Sequence, residues 1–396
     1  MKTVLFAWEL GAGSGHLMQI RRMAQRLRSY GIRSVAAVTR LDSIAVLDDV
    51  VTEIHRMPRW PGIRIDPRSE APPPWATLND RLVIAGLGDQ GIVRTMIAAW
   101  DRLYRSLKPA LVVTDYAPAA SLAARHRIPL LQTGNGFTLP PDGMQEFPPL
   151  YDDREPVHRE EQTLATVNAV LAHFGTRTLD RLPQIFAGDA SLVYALPLLD
   201  PYASRRPVTA DGPLLGDQSR PRAPDASTVF VYISQGIEVR DDLVRALLPV
   251  AERVRIHAPM LAEDARKELA HRGARIEQEP VEISSTLAGC RLVVHLGGSG
   301  LAAEAALAGV PQLALTLHIE QHLTAIALER AGIGQRFAAH DPAVELPGDT
   351  ITKLIGNEEM AHRAASTATG LRSALPRVAA IDRFAGESAR LLGQQA

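Results

Sequence analysis

The chain has 396 residues, 46% of them apolar, with a formal net charge of −1 and one cysteine, Cys290. That is enough apolar material for two ordinary cores, so two domains are expected. The balanced charge, with no basic stripe interleaved with aromatics, excludes an electrostatic nucleic-acid binder, and a lone cysteine excludes an internal disulfide.

Short apolar runs alternate with helical patterns along the whole chain, which predicts doubly wound parallel α/β architecture. In the first half the expected strands are Thr3–Trp8, Ser34–Thr39, Ala110–Thr114, Leu130–Gln132 and Leu192–Ala195. Pro197–Ser227 is rich in Pro, Arg, Asp and Gly without periodicity and reads as a connector. The second half supplies Thr228–Ser234, Val254–Ala258, Arg275–Glu277, Leu292–His295 and Gln312–Thr316, and Pro376–Leu392 looks helical. The expected domains are 1–207 and 208–375, followed by a terminal helix in 376–396. Arg56–Thr77 and Leu139–His158 are proline-rich irregular stretches of the length that binding loops and lids take. The opening MKTVLFAWELG is too short an apolar run for a signal-peptide core, and no stretch is long enough to span a bilayer. A cytoplasmic protein is therefore expected.

The first strand runs into Glu9-Leu10-Gly11-Ala12-Gly13-Ser14-Gly15-His16 and then a helix. Gly11 and Gly13 suit a dinucleotide-binding turn, but His16 stands where the third glycine belongs, and Asp42 is only a loose acidic candidate. A histidine at a helix N-terminus is disfavoured as imidazolium by the helix dipole, so His16 should be neutral and able to accept a proton. Such a base needs a partner to set its tautomer. Glu9, Trp60 and Trp75, with Asn135 and Phe137 in Gly134-Asn135-Gly136-Phe137, are candidate acceptor contacts. The tryptophans have a second reading as loop anchors. Arg21, Arg22, Arg26 and Arg28 cluster on the first helix, as a solvated face or a membrane-docking patch.

The densest signal is VVHLGGSGLAAEAALAGVPQLALTLHIEQHLTAIALERAGIG, from Val293 to Gly334. A strand ends at His295. Gly297, Gly298, Ser299 and Gly300 turn the backbone, and an alanine-rich helix follows until Gly309 and Pro311 stop it. Such a turn aims backbone N–H groups and a helix N-terminus at a phosphate. Glu304, a turn into the helix, can take both ribose hydroxyls, and Glu320 with Gln321 offers an acid and an amide for a further polyol. Together these describe a nucleotide-sugar. His318 and His322 invite a metal reading, but the order is not H-E-x-x-H, and no metal is expected.

This segment resembles the donor-binding motif of the UDP-glycosyltransferase superfamily of GT-B glycosyltransferases. It matches in Gly297-Gly298-Ser299-Gly300, Glu304-Ala305, Gly309-Val310-Pro311, Glu320-Gln321, Thr324-Ala325 and Gly332-Ile333-Gly334. It departs in two places. Leu296 stands where the family has a phosphate-contacting histidine, with His295 one residue early, and Glu320 replaces the usual aspartate. The resemblance implies two Rossmann-like domains facing across a cleft and inverting, metal-independent transfer of a sugar from a nucleoside diphosphate, UDP or TDP, without a further cofactor. It implies a hydroxyl of a small-molecule or lipid-like natural-product acceptor as the receiving group. It maps the general base onto His16, its partner onto Asp115, a phosphate-side Ser-x-Gly onto Ser234 and Gly236, and the nucleobase near Val281. It also implies that the C-terminal helix crosses back to the first domain. A sugar-nucleotide epimerase and a non-catalytic partner of another transferase share the fold. The two long loops count against the first, and the presence of both His16 and Asp115 against the second.

Overall fold

The computed structural model describes residues 2–11, 14–62, 75–151, 154–215, 220–233, 236–341 and 343–393. The chain forms two compact units. One runs to Leu214 and resumes at Pro376, and the other is Leu215–Leu375.

The first unit holds six strands: β1 (Thr3–Trp8), β2 (Arg33–Val38), β3 (Ile54–Arg56), β4 (Leu111–Asp115), β5 (Leu130–Gly134) and β6 (Ala190–Val193). Their order is β3-β2-β1-β4-β5-β6, and every pairing is parallel. The helices are α1 (Gly15–Arg28), α2 (Leu78–Leu82), α3 (Gln90–Leu107), α4 (Pro118–Ala124) and α5 (Glu160–His173). The second unit repeats the plan with β7 (Thr228–Tyr232), β8 (Val254–His257), β9 (Arg275–Ile276), β10 (Cys290–His295), β11 (Gln312–Leu315) and β12 (Gly334–Phe337). Their order, β12-β11-β10-β7-β8-β9, is the same sheet again, also all parallel. Its helices are α6 (Asp241–Leu247), α7 (Glu263–His271), α8 (Ile283–Ala288), α9 (Ser299–Ala308), α10 (Ile319–Arg330), α11 (Thr350–Ile355) and α12 (Glu358–Ala374). The chain then re-enters the first unit through α13 (Ala380–Leu391), which packs on α1 and places Phe384 6.3 Å from Phe6 between ring centroids.

Both sheets have the doubly wound order in which strand direction of progress reverses between two central strands, β1 and β4 in one and β7 and β10 in the other. Ligands of such sheets bind beyond the carboxyl ends of the strands at this switch point. In the first sheet β1 and β4 are buried along their length, as strands covered by helices on both faces must be. Each core side chain buried this way stabilises its unit by about 1.5–3 kcal/mol.

Strands β3 and β12 have no counterpart in the sequence reading. Both are short edge strands, Ile-His-Arg and Gly-Gln-Arg-Phe, with too few apolar residues to announce themselves. The helix expected from Pro376 starts at Ala380. The arginines of α1 are partly exposed and each has a partner within the unit. Arg21 pairs with Asp49, Arg22 donates to the Leu214 carbonyl, Arg26 pairs with Asp382 at 2.7 Å, and Arg28 donates to the Asp49 carbonyl at 2.7 Å. They tie α1 to its neighbours within the unit. Among the described residues no single helix is long and apolar enough to cross a membrane.

Candidate active site

At the switch point of the first sheet, Trp8 of β1 lies in register with Asp115 of β4. The chain leaves β1 with the Leu10 N–H donating to the Tyr116 carbonyl at 3.0 Å. Tyr116 adopts a left-handed φ of 47°, uncommon for a bulky residue, directly after Asp115. His16, in the first turn of α1, points back over the strand ends. Its Nδ1 lies 2.8 Å from Asp115 Oδ2, and both side chains are buried. A carboxylate can only accept, so Nδ1 carries the proton and Nε2 keeps the lone pair.

Two further features hold this ring. The Trp8 indole stacks on it at 5.3 Å between centroids and 23° between planes. Gly11, with φ of 96°, passes so close to Nε2 that a Cβ there would stand 2.4 Å away. Asp115 Oδ2 also accepts from the Tyr194 hydroxyl at 2.8 Å. Trp8, Tyr116 and Tyr194 escaped the sequence reading. The available signal was an aromatic residue at or just past the carboxyl end of a strand.

Each candidate acceptor contact has a partner inside the unit. Glu9 is 2% exposed, and its carboxyl accepts from the Trp60 indole N–H at 2.5 Å and from the backbone N–H groups of Ala119 and Ala120 at 3.2 and 2.6 Å. Trp60 is thus a buried loop anchor, and Trp75 is buried with the Arg81 guanidinium 5.5 Å from its ring centroid. Asn135 and Thr138 close a turn reciprocally, the Thr138 N–H donating to Asn135 Oδ1 at 2.9 Å and the Asn135 N–H to Thr138 Oγ1 at 3.0 Å. Phe137 packs edge-on against Tyr116 at 6.1 Å. Arg206, paired with Asp200, donates to the Gly136 and Leu139 carbonyls and clamps the same turn.

Burial pushes the Glu9 carboxyl up to about 7, against the pull of its Trp60, Ala120 and Ala119 donors. An acid whose folded value lies above its unfolded 4.5 binds more protons when folded. Its stabilising contribution is therefore full below pH 4.5 and is lost as pH rises through about 7. Over that window the loss amounts to about 3 kcal/mol. Thermal melts of the wild type should fall across it, and melts of Glu9→Gln should lack that slope. Parallel slopes in the two proteins would refute the assignment.

At the switch point of the second sheet, β10 ends at His295 and the glycine turn follows. Gly297 is buried with φ of 81°, and a Cβ there would stand 2.9 Å from the Gln321 carbonyl oxygen. The turn and the start of α10 are thus in intimate contact, which brings Gln321 and its neighbour Glu320 to the glycines. Gln321 Oε1 accepts from the Leu317 N–H at 2.8 Å and shapes that loop. Gly298 and Gly300 are exposed, and a Cβ on either would meet nothing within 4 Å. Packing does not require glycine at these two positions. Ser299 opens α9, whose first-turn N–H groups have no acceptor within a helix. One turn later Glu304, 7% exposed, accepts from Ser284 Oγ at 3.2 Å.

His295, a candidate donor contact, supports the turn. Its Nδ1 accepts from the Gly297 N–H at 3.1 Å, its Nε2 donates to Gln312 Oε1 at 3.0 Å, and burial pulls its pKa down to about 4. The neutral ring has both nitrogens engaged and braces the turn from below. Leu296, where the resemblance has a histidine, packs against the apolar core of the unit. Val281 packs against a second apolar cluster just before α8. Gly236 is described, with φ of 84°, whereas Ser234 lies outside the described residues. Gly13 and most of the Arg56–Thr77 loop lie outside them too. His322 receives the Arg336 guanidinium on Nε2 at 2.9 Å, an arrangement unsuited to a metal ligand. Among the described residues no group of three His, Cys, Asp or Glu side chains is placed to hold a metal ion.

No protein-family model and no curated protein matches the chain. Solved structures do. CalG4, the calicheamicin glycosyltransferase, superposes with a TM-score of 0.70 at 19% identity, over 100% of this chain and 99% of its own. The spinosyn rhamnosyltransferase SpnG, solved with spinosyn aglycone, gives 0.63 at 20% identity, over 98% and 100%. The glycosyltransferase VinC, solved with DTDP, gives 0.63 at 18% identity, over 99% and 100%. The chain therefore has the GT-B fold of these glycosyltransferases, over its full described architecture.

Proposed function

We propose that the protein is a nucleotide-sugar-dependent glycosyltransferase that inverts the anomeric centre and needs no metal. The observation that carries this reading is the buried His16–Asp115 pair, set with Nδ1 toward the carboxylate at the switch point of the first sheet, which makes Nε2 the basic nitrogen. The donor's diphosphate would rest on Gly297–Gly300 and the N-terminus of α9, with Glu304 on the ribose and Glu320 and Gln321 on the sugar hydroxyls. Glycine at 298 and 300 answers no packing demand within the chain, which suits close approach of a diphosphate to the backbone. His16 Nε2 would take the proton of an acceptor hydroxyl as that oxygen attacks the anomeric carbon. Asp115 steadies the resulting imidazolium. The bond to the diphosphate oxygen breaks on the opposite face, and negative charge grows on the leaving phosphates. Preorganised N–H groups stabilise that charge without reorganisation.

The DTDP bound to VinC and the spinosyn aglycone bound to SpnG support a TDP-sugar donor and a small natural-product acceptor. A UDP-sugar donor, a lipid-like acceptor and a hydroxyl as the receiving group rest on the sequence resemblance. Incubation with UDP- and TDP-sugars and a library of such acceptors should give a glycoside. Proton NMR should show the anomeric configuration opposite to that of the donor, and EDTA should leave the rate unchanged. A retained configuration, or activity abolished by EDTA and restored by a divalent cation, would contradict the mechanism.

A further inference from the structure

Tyr194 is the first residue past β6, two strands away from Asp115 on β4. In register, Asp115 lies beside Thr133 of β5, and Thr133 beside Leu192 of β6. Tyr194 therefore starts two residues beyond the level of Asp115 and reaches back over the end of β5, a lateral span of about 10 Å. Its backbone is held for this reach. The Tyr194 N–H donates to the Gly134 carbonyl at 2.9 Å, and the Val193 N–H donates to Asp211 Oδ2 at 2.7 Å. The phenol arrives on Oδ2, the same oxygen that accepts from His16, while Asp115 Oδ1 is buried without a hydrogen-bond partner. A carboxylate with one orphaned oxygen gains nothing in packing from crowding two donors onto the other. The second donor acts on the first.

We propose that Tyr194 is a positioning residue of the base: its hydroxyl fixes the Asp115 carboxylate against His16 Nδ1–H and withdraws part of its charge from the imidazole. This deepens the reading of His16 as the base and rests on it. A phenol shared with the carboxylate makes that carboxylate a weaker acceptor toward the ring. The imidazole then stays neutral and basic at Nε2 at lower pH than with Asp115 alone. The neighbouring titratable groups have partners of their own among the described residues. Glu9 is held by Trp60 and the start of α4, Tyr116 packs on Phe137, and Arg40 beyond β2 pairs with Asp42.

The test is an NMR titration of protein labelled in histidine, with the His16 signal identified by its loss in His16→Ala. In Tyr194→Phe the His16 midpoint should rise by roughly half a unit to one unit, a threefold to tenfold gain in proton affinity. The acid limb of kcat/KM should move by the same amount, with KM for the donor unchanged. Replacing Tyr194 alone by 3-fluorotyrosine, of equal shape and more acidic, should move the midpoint down, and serves if the phenylalanine variant does not fold. An unmoved midpoint with kcat lowered equally at every pH would assign Tyr194 a merely structural role and overturn the proposal. A moved midpoint in a protein that transfers no sugar would sustain the Tyr194–Asp115–His16 coupling and refute the transferase reading instead.

Discussion

His16→Ala is expected to lower sugar transfer by about 100- to 10,000-fold, the usual contribution of a positioned general base. The affinity for nucleotide should be nearly unchanged, because the proposed phosphate, ribose and sugar contacts all belong to the second unit. The variant leaves Asp115 buried with Tyr194 as its donor and removes the ring on which Trp8 stacks. A stability loss of about 1–3 kcal/mol should accompany it. Rates should therefore be compared well below the variant's melting temperature. Transfer at near wild-type rate would show that another group takes the proton.

Gly297→Ala is expected to weaken nucleotide binding at least tenfold. The residue sits at φ of 81°, and any Cβ there would stand 2.9 Å from a backbone oxygen of α10 rather than from a side chain that could swing away. The left-handed conformation alone costs an alanine about 1–2 kcal/mol. Relief of the clash would push the start of α10, with Glu320 and Gln321, off the glycine turn. Nucleotide affinity should fall at least tenfold, roughly the loss of one charge-assisted hydrogen bond, and the melting temperature should fall with it. Gly298→Ala is the informative contrast. It has an ordinary φ of −62° and open space around it, so stability should hold while affinity falls. If Gly297→Ala bound nucleotide as the wild type does, the diphosphate would not rest on this turn.

Much of the architecture was legible because parallel strands buried on both faces read as near-continuous apolar runs. Thr3–Trp8, Leu130 and Gln312 were placed where the strands begin, and the doubling followed from a restart of the same pattern. The edge strands β3 and β12 were not legible, since half-exposed strands of three or four residues carry almost no apolar period. At the site, the sequence carried the spacing of glycines, His16 and Asp115, while the direction in which each side chain points came only with the fold. Glu9 and Trp60 are 51 positions apart, and nothing local says that they meet. The His295 partner Gln312 lies on the neighbouring strand, a pairing that no local pattern announces. Tyr194 sits inside an apolar run that predicts strand to Ala195, whereas β6 ends at Val193.

The most direct measurement is calorimetric titration of the protein with UDP, TDP and GDP, repeated on Glu304→Ala. Tight binding of UDP or TDP, lost or weakened at least tenfold without the Glu304 carboxylate, is the predicted result. Absence of binding to all three would contradict the central claim. Leu296 would then mark a donor site that no longer functions, and the chain would be a GT-B protein that works as a partner rather than as a transferase.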